Sequence, residues 1–137
     1  MRIIAGTLRS RKLLSPPPTT RPTSDRTREA IFNIINNLNA GLFKNSCILD
    51  AFAGSGALGL EALSRGADHA IFIEKNPQAV HILKRNIIAL GVKDSCTVIT
   101  GDATQPPRAS QPVHFIFLDP PYGQNLEVPC LTELSKQ

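Results

Sequence analysis

Residues 48–59 constrain this chain more than any other stretch. An apolar run, Cys47-Ile48-Leu49, passes through Asp50 into Ala51-Phe52-Ala53-Gly54-Ser55-Gly56-Ala57-Leu58-Gly59 and resumes as Leu60-Glu61-Ala62-Leu63. Apolar run, Gly-x-Gly-x-x-Gly and renewed apolar pattern spell strand, tight turn and helix, the layout that lets backbone come close to a nucleotide. Two later strings belong with it. Phe72-Ile73-Glu74 places an acid 20 residues past Gly54, and Phe117-Leu118-Asp119-Pro120-Pro121-Tyr122 ends another apolar run. An acid closing the second strand suits the diol of a ribose, in a nicotinamide dinucleotide or in S-adenosylmethionine alike.

Charge separates those two ligands. Asp50 stands four residues before Gly54, at the mouth of the expected turn. A dinucleotide would bring a doubly anionic pyrophosphate to that carboxylate, and like charges a few ångströms apart are costly at low dielectric. S-adenosylmethionine carries a sulfonium and an ammonium and no phosphate, so the same carboxylate attracts it. The sequence therefore predicts the methyl donor as cofactor and argues against nicotinamide.

The 137 residues suffice for one domain with a core, and 42% hydrophobic with 19% charged residues is ordinary for a water-soluble protein. No run of 18 apolar residues occurs and the first residues lack a signal-like segment, so a cytoplasmic, membrane-free location is expected. Cys47, Cys96 and Cys130 lie far apart without the paired spacing of a zinc or redox site and are expected to be buried thiols. His69, His81 and His114 have no partners at metal or nucleophile spacing, so no metal is expected. The net charge of +4 is uneven. Arg2, Arg9, Arg11, Lys12, Arg21, Arg26 and Arg28 face only Asp25 and Glu29 within residues 1–30, which carry +5 and leave −1 for the rest. Such clustering fits a polyanionic partner such as nucleic acid, or else a solvated basic tail.

Taken in order, residues 1–22 are expected to form a basic amino-terminal arm and residues 23–137 the main domain. Arg2-Ile3-Ile4-Ala5-Gly6-Thr7-Leu8 and Arg11-Lys12-Leu13-Leu14 alternate like short strands laid on something, and Pro16-Pro17-Pro18 enforces an extended spacer. A helix capped by Ser24 or Asp25 then presents apolar residues at 31, 34, 35 and 38. Arg26 and Arg28 fall in its first turn, where the helix dipole disfavours cations. Either they help hold a phosphate there, or they are surface arginines paired with Asp25 and Glu29. From Cys47 onward strands alternate with helices. Gly66 closes the first helix, Asn76-Pro77 opens the second and Gly91 stops it, and Ala70-Ile71-Phe72-Ile73, Cys96-Thr97-Val98-Ile99-Thr100 and Val113-His114-Phe115-Ile116-Phe117-Leu118 are the later strands. The pattern predicts an α/β, doubly wound Rossmann-like parallel sheet with its site at the strand carboxyl ends. Asp102, in Gly101-Asp102-Ala103, can accept from an adenine amine or simply cap its loop.

Asp119-Pro120-Pro121-Tyr122 supplies what methylation of an exocyclic amine requires. The lone pair of such an amine is delocalised into the base, and a carboxylate and a rigid carbonyl, each accepting one N–H, localise it. Asp119 and the Pro120 carbonyl suit those roles, Pro121 stiffens the turn, and Tyr122 can stack on an extruded or unpaired base.

The ordered set Asp50-x-Phe52-x-Gly54-Ser55-Gly56, Glu74, Gly101-Asp102-Ala103 and Asp119-Pro120-Pro121-Tyr122 resembles the class I amino-methyltransferases. The amino-terminal Arg2-Ile3-Ile4-Ala5-Gly6, Arg11-Lys12-Leu13 and Arg21-Pro22-Thr23-x-x-Arg26-x-Arg28-Glu29-x-Ile31-Phe32-Asn33 is similar to the RsmD-type family, which methylates N2 of a guanine in 16S ribosomal RNA. The resemblance implies S-adenosylmethionine as cofactor, with Asp50, Phe52, Gly54, Gly56, Glu74, Asp102 and Ala103 around it. It also implies ribosomal RNA or the small ribosomal subunit as partner, engaged by Arg2, Arg9, Arg11, Lys12, Arg21, Arg26 and Arg28. Adenine-N6 methylation, or RNA binding without catalysis, are the alternatives. The family's sheet has seven strands whereas four are legible here, so a sheet truncated after the fourth strand is expected. That strand would be an apolar edge, which invites self-association.

Overall fold

The computed structural model describes residues 1–15, 24–120 and 123–137. Four strands, β1 (Cys47–Asp50), β2 (His69–Glu74), β3 (Cys96–Thr100) and β4 (Phe115–Phe117), form one sheet in the order β3-β2-β1-β4. All neighbours are parallel. Four helices, α1 (Asp25–Leu38), α2 (Ala57–Ser64), α3 (Pro77–Leu90) and α4 (Glu127–Leu134), complete the fold.

Strand alternation divides the core into two layers. Ile48, Ala70 and Phe72 point to the layer that holds Phe32 of α1, Leu60 of α2 and Leu83 of α3. Cys47, Leu49, Ile71 and Ile73 point to the opposite layer, where Cys130 of α4 is buried. The helix limits follow from capping. The Asn76 side chain accepts from Gln78 N and Ala79 N at the start of α3, and Gly91 ends it at φ 70°. Ser24 accepts from Thr27 N at the start of α1.

Two expectations need correction. In α1 the buried residues are Arg28 and Phe32, while Ile34 and Leu38 remain 62% and 79% exposed. The helix turns on Phe32, whose ring packs 5.5 Å from Phe43 and 5.6 Å from Phe117, so aromatic packing against β4 outweighs the aliphatic periodicity. The fourth strand spans three residues instead of six, because only Ile48, Leu49 and Asp50 of β1 are placed to pair with it. It forms one edge of the sheet, as the count of legible strands implies.

The amino-terminal arm is a hairpin fixed to the body. Arg2 and Lys12 form an antiparallel bridge, with Ile3 N donating to Arg11 O at 3.0 Å and Leu13 N to Met1 O at 2.9 Å. Ile3 and Leu13 enter the same core layer as Phe32 and Leu60. Among the described residues no helix is long and apolar enough to cross a membrane.

Candidate active site

The register fixes where the loops meet. Asp50 pairs with Phe72 and Phe117, and Glu74 with Thr100, so the segments that follow all four strands open on one end of the sheet. The first carries the glycine turn. Gly54 and Gly56 have φ of 57° and 87°, the left-handed region that suits glycine. A Cβ on Gly56 would stand 2.3 Å from Leu83 Cδ1, and one on Gly59 2.4 Å from Phe72 Cε1. The latter two glycines thus let α2 close onto α3 and β2. Glu74 braces this turn from the next strand, its Oε1 accepting from Gly54 N and its Oε2 from Asn76 N, each at 2.8 Å.

These loops enclose a cleft of about 1170 Å³. Phe52, Gly54, Glu74, Asp102, Asp119 and Pro120 line it, with Ala103 beside Asp102. Seven residues expected at the site on sequence grounds therefore share one chamber, drawn from the ends of all four strands. Asp102 Oδ1 accepts from Thr104 N at 2.8 Å and Thr104 Oγ1 at 2.6 Å, and these bonds hold its carboxyl below the usual carboxylate range. Loop capping and cleft lining, alternatives on sequence grounds, coexist in this residue. Gly56, the N-cap of α2, does not line the cleft. Pro121 and Tyr122 fall outside the described residues.

Asp50 departs from expectation. It is 1% exposed and does not line the cleft; its Oδ2 accepts from Gly59 N of α2 at 3.1 Å, and its Oδ1 has no hydrogen-bond partner among the described residues. Burial pushes its carboxyl up to about 7, against the Gly59 N–H, with the charges of Asp119 and Glu74 adding to the rise. The carboxylates that line the cleft are thus Glu74, Asp102 and Asp119, while Asp50 is buried behind them. The expected repulsion of a pyrophosphate passes to those three.

The basic segment divides in two. Arg2, Arg9, Arg11, Lys12 and Arg26 are exposed. Arg28, expected among the RNA-contacting cations, is wholly buried. Its guanidinium pairs with Asp25 and with Glu61 at 3.3 Å, and Nη2 donates to Arg2 O at 2.9 Å. It is withdrawn from the RNA-facing set, and Arg21 falls outside the described residues. Glu61 also accepts from Ile4 N at 2.8 Å, Ala5 N at 3.1 Å and Arg65 Nε at 2.9 Å. Sequence reasoning passed over it, although a lone acid inside the apolar Ala57-Leu58-Gly59-Leu60-Glu61-Ala62-Leu63 signals a buried charge in need of partners. Also missed were Met1, Ser24, Thr27 and Ile31, which form a wall of the cleft because the hairpin and α1 are drawn against α2.

His69 and His114 take structural places, and His81 is exposed on α3. His114 Nδ1 accepts from Cys47 N at 2.9 Å, and His69 Nε2 lies 2.7 Å from Thr97 Oγ1. All three cysteines are free; Cys47 and Cys130 are buried and Cys96 is half-buried, its thiol pushed up to about 12 by burial. Among the described residues no group of His, Cys, Asp and Glu side chains is placed to hold a metal ion.

A parallel sheet ordered β3-β2-β1-β4, a glycine turn after β1, an acid ending β2 and an acid after β3, all facing one cleft, define a Rossmann-like fold of the methyltransferase class. The chain belongs to the family described as Conserved hypothetical protein 95, whose model matches residues 1–137. Among its relatives, YlbH of Bacillus subtilis is 40% identical over 129 residues, 90% of this chain and 68% of that protein. Ribosomal RNA small subunit methyltransferase D of Escherichia coli is 39% identical over 127 residues, 92% of this chain and 62% of that protein. The solved structure of yhhF from Escherichia coli superposes with a TM-score of 0.79 at 35% identity, covering 98% of this chain and 71% of that one. The resemblance to RsmD-type proteins holds, and the chain spans about two thirds of the length of these curated relatives.

Proposed function

We propose that this chain carries the donor site and the reacting groups of an S-adenosylmethionine-dependent RNA methyltransferase whose target is the N2 amine of a guanine in small-subunit ribosomal RNA. One observation carries the proposal: Glu74, Asp102 and Asp119, each at or just past the end of a different strand, line a single cleft with Lys75 as the lysine on its rim. The excess of carboxylates fits a cationic ligand and opposes a pyrophosphate. Phe52, Ala103 and Leu118 add apolar lining of the kind an adenine ring needs. Kinship with the ribosomal RNA small subunit methyltransferase D of Escherichia coli supports ribosomal RNA as the acceptor.

When bound, the donor supplies an electrophilic methyl group on a positively charged sulfur. The chain's own residues do the rest. Glu74 has lone pairs beyond those given to Gly54 and Asn76 and can accept from ribose hydroxyls. Asp102, with Oδ1 committed to Thr104, can offer Oδ2 to the exocyclic amine of adenine. Asp119 accepts one N–H of the acceptor amine and the Pro120 carbonyl the other, which turns the nitrogen lone pair out of conjugation and compensates the positive charge growing on it.

Calorimetry with S-adenosylmethionine and with a nicotinamide dinucleotide tests the donor. Binding of the first alone is expected; binding of the dinucleotide alone overturns the proposal. Transfer of a tritiated methyl group to unmodified small subunits, followed by mass spectrometry of the nucleosides, tests the acceptor. N2-methylguanosine is expected, N6-methyladenosine moves the assignment to adenine, and RNA bound without transfer makes the chain a binding module.

A further inference from the structure

The helix that leads away from the cleft is acid-free. Between Lys75 and Lys93 the sequence contains Lys75, His81, Lys84, Arg85 and Lys93 and no carboxylate. The buried stripe of α3 is Ala79, Val80, Leu83, Asn86, Ile87 and Leu90, which leaves His81, Lys84, Arg85 and Ile88 outward, Ile88 at 69% exposure. Neither Lys84 nor Arg85 forms an ion pair among the described residues, whereas Lys136, just past α4, is paired with Glu133 at 2.9 Å. The hairpin crosses the last turns of the same helix. Arg11 Nη2 donates to Ala89 O at 2.6 Å, and Asn86 exchanges hydrogen bonds with Leu14, N to Oδ1 at 2.8 Å and Nδ2 to O at 3.2 Å. Residues four apart stack on one side of a helix, so Ala89, Arg85, His81 and Pro77 make a line up α3. Its far end reaches Lys75, Asn76 and Pro77, which line the cleft.

We infer that this outer face of α3, from Arg11 across Arg85 and Lys84 to Lys75, is a track for the phosphate backbone of the RNA that presents the acceptor base. The inference rests on the RNA-methyltransferase reading above. A helix of 14 residues is about 20 Å long, enough for several phosphates to be neutralised along it while the base enters the cleft. The signs of charge support this division. Glu74, Asp102 and Asp119 repel phosphates from the chamber, and the cations of α3 hold them beside it. Ile88 offers the same strand an apolar contact for a ribose or a base face. Lys84 and Arg85 thus join the exposed arginines of the hairpin as substrate contacts, a role for which their own segment of sequence carries no motif.

The test compares the whole chain with Lys84→Glu/Arg85→Glu and with a control of equal charge change, Lys44→Glu/Lys136→Glu. Lys44 precedes β1 at the sheet end opposite the cleft, and Lys136 follows α4. Binding of a fluorescein-labelled fragment of small-subunit ribosomal RNA is followed by anisotropy between 50 and 200 mM salt, conditions taken from the range in which counterion release is read. The α3 pair is expected to weaken binding about tenfold or more and to shallow the salt slope by roughly one to two. Its thermal unfolding and S-adenosylmethionine affinity stay unchanged, Lys84→Arg/Arg85→Lys retains binding, and the control pair changes affinity less than about twofold. Equal losses in the α3 and control pairs, no loss in the α3 pair, or no RNA binding by the parent chain each overturns the track. RNA bound normally with no methyl transferred leaves the track standing and defeats the catalytic reading; transfer with unchanged RNA dependence in the α3 variant does the reverse.

Discussion

The seam between the hairpin, α1 and α2 and the cleft at the strand ends both gather carboxylates, and they treat them in opposite ways. In the seam Glu61 is wholly buried and compensated, with Arg28, Arg65 and two backbone N–H groups on its two oxygens. In the cleft Glu74, Asp102 and Asp119 stand together, and Asp50 lies beneath them with one oxygen unpartnered among the described residues. Charge that is satisfied within the protein holds elements together. Several carboxylates gathered in one cleft, with Lys75 the basic residue on its lining among the described residues, favour a cationic ligand there.

Breaking the seam should have the largest effect. Glu61→Ala removes the wholly buried carboxylate partner of Arg28, leaving it Asp25, and strips two N–H groups of their acceptor, a loss of about 3–5 kcal/mol in denaturant unfolding. A loss below about 1 kcal/mol would mean that the seam is no more than ornament on the apolar contacts of Ile3 and Leu13. Next comes the chemistry of the cleft. Asp119→Ala is expected to slow methyl transfer about 100- to 1000-fold while donor affinity by calorimetry stays within about twofold; a loss of donor affinity of the same size would make Asp119 a donor ligand instead.

Asp50 supplies a pH test. Its folded carboxyl titrates at about 7, above the ordinary value of 3.8, so between those values the folded chain holds a proton that the unfolded chain has released. Stability is therefore fullest below about pH 4 as far as this group is concerned, and falls as pH rises toward 7, by about 2–4 kcal/mol. Asp50→Asn should flatten that slope in urea titrations at pH 4.5 and 7; an unaltered slope would place the proton elsewhere. A smaller effect is expected at the turn brace. Glu74→Gln keeps an acceptor for Gly54 N and loses the charge, weakening donor binding about tenfold, about 1.4 kcal/mol. Smallest is Ser24→Ala at the cleft wall, about 1 kcal/mol of stability from the lost cap, measured by thermal unfolding.

What could be read from the sequence was what is local. The glycine turn, the Asn76 and Gly91 caps and the limits of β3 depend on residues within a few positions of one another, and each stands where the pattern put it. The cleft acids were legible because each closes its own strand. The pairing of Arg28 with Asp25 was open to the sequence, but its burial was not, because its second partner Glu61 lies 33 residues away, a separation at which no periodicity speaks. Ile34 and Leu38 misled for the reverse reason: their spacing is regular, yet the aromatic cluster of Phe32, Phe43 and Phe117 fixes the rotation of α1. The inward turn of Asp50 toward Gly59 was likewise invisible, since a strand-end acid has the same signature whether it faces a ligand or a helix.

The hairpin's anchors impose an order of events on a newly made chain. Its hydrogen bonds to α2 and α3 join residues 56 to 78 positions apart, so the hairpin emerges from the ribosome seconds before Glu61, Ser64 and Asn86 exist to receive it, at about 5–20 residues per second. The hairpin is thus made before the elements that fix it, and until α2 and α3 have been made Ile3 and Leu13 stay uncovered.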